Sequence, residues 1–258
     1  MDGPRARHGM GQEPVLTIDG LGVVFGGLRA LAGVSLQARD GEILGIIGPN
    51  GAGKTTLFNA ITGLVRAAAG RVLFRQRPIL GFRPSAIARL GIARTFQVVR
   101  PFADLTVLEN VMVPLGHRRY GGFGSLALRL PSREGARRLL GRVGLDGRVA
   151  AFPHQLPIAH QRRLELARAL ALDPTLVLLD EPAAGLIHQE AMDLIGLIRS
   201  VRNEGRTMLV VEHNMDVAMG VCDRLYVLDH GAVIAEGTPA KVRDDPAVIA
   251  AYLGSDED

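Results

Sequence analysis

Gly48-Pro49-Asn50-Gly51-Ala52-Gly53-Lys54-Thr55-Thr56 decides the reading of this 258-residue chain. The run fits G-x-x-x-x-G-K-[ST] and follows an apolar stretch, Ile43 to Ile47. After it, Leu57, Phe58, Ile61, Leu64 and Val65 recur at helical spacing, which predicts one buried helix face. A strand, a glycine-rich turn and a helix in that order form a phosphate-binding loop. The glycines let successive N–H groups point into one concavity, and the positive end of the helix faces the same place. Lys54 is then expected to hold the β- and γ-phosphates of a nucleotide, and Thr55 to offer its hydroxyl to Mg²⁺. The alternative is a glycine-rich turn with an incidental lysine. Lys54 and Lys241 are the only lysines among thirty Lys and Arg residues, which argues against chance at the one position that requires lysine.

The rest of the composition narrows the class. With 47% apolar residues the chain can bury a sizeable core and is not a disordered segment. No apolar run approaches the roughly 18 residues needed to cross a bilayer, and residues 1–13 lack a signal-peptide core, so a cytoplasmic location is expected. The lone cysteine, Cys222, sits in an apolar stretch and reads as a packed thiol, with no disulfide or Cys-pair metal site available. The net charge of +4 is modest. Part of it gathers in Arg118, Arg119, Arg129, Arg133, Arg137, Arg138 and Arg142, a cluster that fits a solvated helix face, a partner or membrane surface, or nucleic acid.

Along the chain, Val15 to Phe25 reads as two short strands with a turn at Asp19-Gly20, and Val34 to Ala38 as another strand. Phe25 could stack on adenine or simply pack in the core. Gly70 to Phe74 reads as a strand, Pro84 to Leu90 as a short helix, and Ile92 to Gln97 as a strand that presents Gln97 to Mg²⁺ and the attacking water. Thr106-Val-Leu-Glu109 is a capping box opening a helix through Val113, after which Gly121, Gly122 and Gly124 break the pattern. Helices are expected from Arg133 to Val143 and from Pro157 to Leu172.

Thr175 to Asp180 is an unbroken apolar run ending in Asp180 and Glu181, the pattern of a parallel strand buried on both faces. Two acids there are costly unless used. Asp180 is expected to orient Mg²⁺ through water, and Glu181 to polarise the water that attacks the γ-phosphate. A helix from Glu190 to Val201 precedes a second buried strand, Arg206 to Glu212, which delivers His213 to the same sheet edge, within reach of the γ-phosphate. A hairpin over Leu225 to Glu236 and a helix near Pro246 to Leu253 complete the fold.

Taken in order, the phosphate loop, Gln97, Gln161-Arg-Arg-Leu-Glu-Leu-Ala-Arg, Asp180-Glu181, Ala183-Ala-Gly-Leu186 and His213 resemble the nucleotide-binding subunit of an ABC transporter over roughly residues 14–254. Arg94-Thr-Phe-Gln97, Thr106-Val-Leu-Glu-Asn110, Val211-Glu-His-Asn-Met215 and Ala251-Tyr-Leu-Gly254 are similar to the branched-chain amino acid importer ATPases. The resemblance implies an α/β P-loop NTPase with a RecA-like core, an N-terminal antiparallel β subdomain and an inserted helical subdomain at about residues 98–160. Residues 1–13 and the acidic 255–258 would be loose ends. It implies ATP and Mg²⁺ as cofactors, and a dimer with a second ATPase subunit, a paralogue or a second copy. Membrane permease subunits would dock near Gln97 to Ala151 at the cytoplasmic face, served by a periplasmic or extracellular solute-binding protein.

In that family the partner's nucleotide is completed by a signature sequence L-S-G-G-Q, which here reads Leu156-Pro157-Ile158-Ala159-His160-Gln161. The resemblance places Leu156, Ala159 and Gln161 at the partner's nucleotide. Pro157 lacks a hydroxyl and an N–H, and Ala159 is disfavoured if that position needs a positive φ. Ile187-His188 replaces the usual Asn-Pro after the Ala-Gly-Leu stretch. The rival class, an ABC-type ATPase acting on nucleic acid, carries a long coiled coil or zinc insertions ahead of the Asp-Glu strand. No heptads or cysteine pairs are found here, so no nucleic-acid partner is expected. An exporter subunit would more often be fused to membrane helices.

Overall fold

The computed structural model describes residues 13–97, 99–119 and 133–253, with no side-chain account of 117–119. The expected glycine break at Gly121 to Gly124, Arg129, the arginine side chains of 118 and 119, and nearly all of both loose termini lie outside the described residues.

Three five-residue strands form the centre: β3 (Ile43–Ile47), β7 (Leu176–Asp180) and β8 (Thr207–Val211), in each of which every residue is buried. Their side chains alternate between two cores. Leu44, Ile46, Leu178, Leu209 and Val211 face one side, while Ile43, Ile47, Val177, Leu179, Met208 and Val210 face the other. Both faces are covered, which is why these strands read as continuous apolar runs rather than alternating ones. With β6 (Ile92–Arg94), β9 (Arg224–Asp229) and β10 (Ala232–Gly237) they form a sheet of order β10-β9-β3-β8-β7-β6. All neighbours are parallel except β10, which pairs antiparallel to β9. The chain order reverses around β3, and ligands of open α/β sheets bind at the carboxyl ends of strands at such a point.

A second, antiparallel sheet packs over one face. It contains β1 (Pro14–Phe25), β2 (Leu28–Arg39), β4 (Ala69–Phe74) and β5 (Arg77–Pro78), in the order β2-β1-β4-β5. Here the two strands expected at 15–25 are one. The register shifts between Ile18 and Leu21, so Asp19-Gly20 forms a bulge and not a turn, and the Gly20 N–H donates to the Ser35 hydroxyl at 2.9 Å. Between the sheets lies α1 (Lys54–Ile61), which buries Leu57, Phe58, Ala60 and Ile61. The helix ends three residues before Leu64, which is 52% exposed and so does not share the buried face assigned to it. Val65 packs against the core as expected. The short helix α2 (Pro84–Leu90) falls where the sequence placed it.

A helical layer follows: α3 (Val107–Arg119), α4 (Arg133–Arg142) and α5 (Ile158–Leu170). They close a third core around Val107, Val111, Leu140, Leu156, Leu164 and Ala167. The capping box is formed, with the Glu109 carboxylate accepting from the Thr106 N–H at 2.8 Å and Glu109 N–H donating to Thr106 Oγ1 at 3.3 Å. The helix then runs on through Pro114 to Arg119, past the expected end at Val113. Asn110, fully buried, accepts from Phe102 N–H and donates to the carbonyls of Phe102, Leu105 and Thr106, fixing the loop before α3. On the opposite face, α6 (His188–Asn203), α7 (Met215–Val221), α8 (Pro239–Arg243) and α9 (Pro246–Leu253) each bury at least one side chain. The Cys222 thiol is packed there, and burial pushes its pKa up.

Candidate active site

The phosphate loop joins the end of β3 to α1. Gly48 has φ +148°, and a Cβ there would meet the Leu228 carbonyl oxygen at 2.0 Å. Gly53, the N-cap of α1, has φ +101°, and a Cβ would come within 2.7 Å of the Ala30 carbonyl. Both positions therefore require glycine, for close approach of the backbone and for backbone shape. The β9–β10 turn braces the loop from below through Gly231 N–H to the Ala52 carbonyl at 3.1 Å. Lys54 is almost fully buried, and its ammonium donates to the Gly48 and Pro49 carbonyls at 2.6 and 2.8 Å. Burial lowers its pKa, opposed by the negative charges of Glu181 and Asp180.

The loop opens into a cleft of about 430 Å³, lined by residues including Asn50, Lys54, Thr55, Thr56, Gln97 and Glu181. That size suits a nucleotide-scale ligand. Glu181 follows β7 directly with φ +46°, a costly conformation for a residue with a side chain, of the kind that persists at functional sites. Its carboxylate accepts from Gln97 Nε2 at 2.9 Å and lies 3.4 Å from His213 Nδ1. The structure thus brings together Lys54, Thr55, Gln97, Glu181 and His213 at one sheet edge. The route for Gln97 differs from the expectation: β6 stops at Arg94, so Gln97 reaches in from a loop and not from a strand end.

Asp180 is buried at the end of β7. Its Oδ2 accepts from Arg94 Nη2 at 2.7 Å, while Oδ1 is buried with no hydrogen-bond partner among the described residues. Arg94 Nη1 also donates to Asn59 Oδ1 and Thr62 Oγ1 on and just after α1, and its guanidinium lies over the rings of Phe58 and Phe96. Asp180 does not itself line the cleft, but its unpartnered carboxylate oxygen and the Thr55 hydroxyl of the cleft lining are both oxygen donors, the kind of set that fits Mg²⁺. Among the described residues no three His, Cys, Asp or Glu side chains gather to hold a metal by themselves.

Other expected residues lie elsewhere. Phe25 ends β1 and is 48% exposed, so the core reading of it is corrected. Leu156 is buried in the helical core. Gln161 Nε2 donates to the Leu156 carbonyl at 2.9 Å, and neither Gln161 nor Ala159 lines this chain's own cleft. Ala159 is helical, within the first turn of α5, so the substitution costs no positive φ; Pro157 is the N-cap, where a missing N–H removes no helix bond. The described arginines of the cluster face solvent, with Arg138 paired to Glu134 and Arg142 to Glu204.

Sequence reasoning did not single out Arg29 and His230, which line the cleft, or Arg94, Arg162 and Glu212, which bond to Asp180, to the Gln97 carbonyl and to the Ala183 N–H. It also missed α7, although Asn214 caps that helix through Oδ1 to Val217 N–H and was a readable start signal. Beside the site, a groove of about 370 Å³ runs between the Gln97 loop and the helical layer. Phe96, Phe102 and Val113 stand about half exposed along it, among Arg100 and Arg168.

Comparison with known proteins agrees with this geometry. A family model described as ABC transporter matches residues 31–184, and one described as branched-chain amino acid ATP-binding cassette transporter matches residues 232–258. The chain is 42% identical to the high-affinity branched-chain amino acid transport ATP-binding protein LivG of Salmonella typhimurium, over 94% of this chain and 98% of that protein. It is 41% identical to BraF of Pseudomonas aeruginosa over the same shares. Among solved structures, the ADP conformation of MJ1267, an ATP-binding cassette of an ABC transporter, superposes with a TM-score of 0.84 at 32% identity, covering 94% of this chain and all of that one. The chain belongs to the ATP-binding subunits of ABC transporters, in the family of the branched-chain amino acid transport ATPases.

Proposed function

We propose that this chain binds MgATP in the cleft at Gly48 to Thr56, hydrolyses it, and so drives a membrane permease that imports branched-chain amino acids or related small amides and acids. The observation that carries the reading is the position of Glu181: strained backbone, a carboxylate bonded by Gln97 and neighboured by His213, in the same cleft as Lys54 and Thr55. Loop N–H groups and the start of α1 bind the phosphates, and Lys54 turns from the loop carbonyls to the β- and γ-oxygens. Thr55, Asp180 and Gln97 would hold Mg²⁺, which offsets phosphate charge when bound. Glu181 polarises the attacking water, and His213 donates to the γ-phosphate. Phe25, exposed at the tip of β1, offers a face to adenine.

The solute is inferred from the relatives, which are named for branched-chain amino acid transport. ABC transporter ATP-binding subunits work with membrane permease subunits. The groove between Phe96 and Val113 is where we place a permease helix, since apolar side chains there are exposed beside cations. A second ATPase subunit would meet the stretch Leu156 to Gln161, and a solute-binding protein would act through the permease on the far side of the membrane. No described helix is long and apolar enough to cross a membrane. Docked on the permease, the chain would attach peripherally at the cytoplasmic face. Titration with MgATP tests the cleft: Lys54→Ala should weaken binding by about tenfold or more, through loss of a charge-assisted phosphate contact. Equal affinity in the variant would refute the assignment. Copurification of a permease with the chain from membranes, and stimulation of its ATPase by a branched-chain amino acid with its binding protein, tests the transport reading.

A further inference from the structure

One face of α5 carries charged residues at a spacing of three, Arg162, Glu165 and Arg168, and all three hold the backbone of the loop that bears Gln97. Glu165 Oε1 accepts from Arg100 N–H at 3.1 Å, and Arg168 Nη1 donates to the Arg100 carbonyl at 2.9 Å while stacking on Phe102. Arg162 reaches deeper. Its Nη1 donates to the Gln97 carbonyl at 2.7 Å and to the Phe96 carbonyl at 3.4 Å, and its Nη2 donates to the Ala184 carbonyl at 3.1 Å. Ala184 belongs to the turn after β7, where its N–H donates to the Glu181 carbonyl at 3.1 Å. A single buried guanidinium therefore grips the main chain on both sides of the Gln97–Glu181 hydrogen bond. Only a planar fork with donors pointing two ways can do this, and lysine cannot.

We propose that Arg162 is a positioning residue for hydrolysis: it sets the distance between the Gln97 amide and the Glu181 carboxylate by tying their two loops to α5. This rests on the role given to Gln97 and Glu181 above. Hydrolysis is sensitive to misplacement on the ångström scale, so a relaxed tie lowers turnover more than nucleotide affinity. Because α5 begins at Pro157 and Ile158, a displacement of its first turn also moves both loops together.

The test uses the full chain with Arg162→Met, Arg162→Lys, Gln97→Ala and the Arg162→Met/Gln97→Ala double variant. Steady-state phosphate release, MgATP affinity and amide hydrogen exchange are read for each. Arg162→Met should lower kcat by about tenfold, the scale of losing hydrogen bonds from a charged donor, and leave affinity unchanged. Arg162→Lys should recover part of the loss, since one ammonium can reach the Gln97 carbonyl but cannot span both loops. In the Gln97→Ala background, Arg162→Met should change kcat by less than about twofold, because the group it positions is already gone. Exchange should quicken in residues 96–100 and 182–187 and stay constant in 48–56. An equal fold loss of kcat in both backgrounds would overturn the proposal in favour of a general structural role, and unchanged exchange in both loops would overturn it outright. Full turnover in Gln97→Ala alone would refute the hydrolytic role of Gln97 instead, and the exchange result would still decide whether Arg162 holds the loops.

Discussion

Arg94→Met tests how the buried Asp180 carboxylate is held. The Arg94 and Asp180 side chains are 7% and 3% exposed, and their 2.7 Å contact is a buried ion pair with little solvent screening. Methionine keeps most of the volume against Phe58 and Phe96 but removes the charge and the bonds to Asn59 and Thr62. Deleting one partner of a buried pair leaves an uncompensated charge and costs about 3–5 kcal/mol, where the pair itself can be close to neutral against an apolar replacement. With a urea slope of about 3 kcal/mol/M for a chain of this size, the unfolding midpoint should fall by about 1 M or more. Asp180→Asn in the same background removes the stranded charge, so the double variant should be more stable than Arg94→Met, with a coupling of at least about 2 kcal/mol. The assay is urea unfolding followed by far-UV circular dichroism on the parent, both single variants and the double. Additive costs, or a midpoint unchanged in Arg94→Met, would refute the reasoning.

Asn110→Ala should cost about 3 kcal/mol, because it strands the Phe102 N–H and the Leu105 carbonyl in a fully buried place and takes a second donor from the Phe102 and Thr106 carbonyls, which keep the Leu105 and Asn110 N–H groups; a fall in Tm of about 6–12 °C by calorimetry is expected. Glu212 is held above its ordinary pKa, chiefly by burial, so its stabilising contribution is complete below the unfolded pKa and is lost as pH rises through the folded one. Glu212→Gln keeps an acceptor for Ala183 N–H, and its Tm relative to the parent should climb as pH rises from the carboxylate range toward neutrality. A difference that stays flat or falls with pH would refute this.

The catalytic strands were legible because burial on both faces writes an unmistakable apolar run, and the phosphate loop because two of its glycines have no substitute. What failed has a physical reason in each case. Asp19-Gly20 looks like a turn by itself, but β1 pairs with both β2 and β4, and cross-strand pairing absorbs those residues as a bulge. Leu64 continues the helical period after the helix has stopped, since periodicity in letters does not mark where hydrogen bonds end. The guanidinium contacts of Arg94 and Arg162 span more than 60 residues to Asp180 and Gln97, respectively, and no local pattern encodes such reach. Pro157 and Ala159 looked costly against the L-S-G-G-Q pattern, yet the N-cap and first turn of α5 accommodate both.

The central claim is that Glu181 polarises water in a cleft where Lys54 and the glycine loop hold MgATP. It is tested most directly by Glu181→Gln, which keeps the shape and the neighbouring Gln97 and His213 but removes the basic carboxylate. MgATP affinity and phosphate release, measured on the same preparation, should show binding close to that of the parent and turnover lower by about 10² or more. Size-exclusion chromatography with ATP should show a trapped dimer. Undiminished turnover with intact binding would contradict the account and move the water-polarising role away from Glu181.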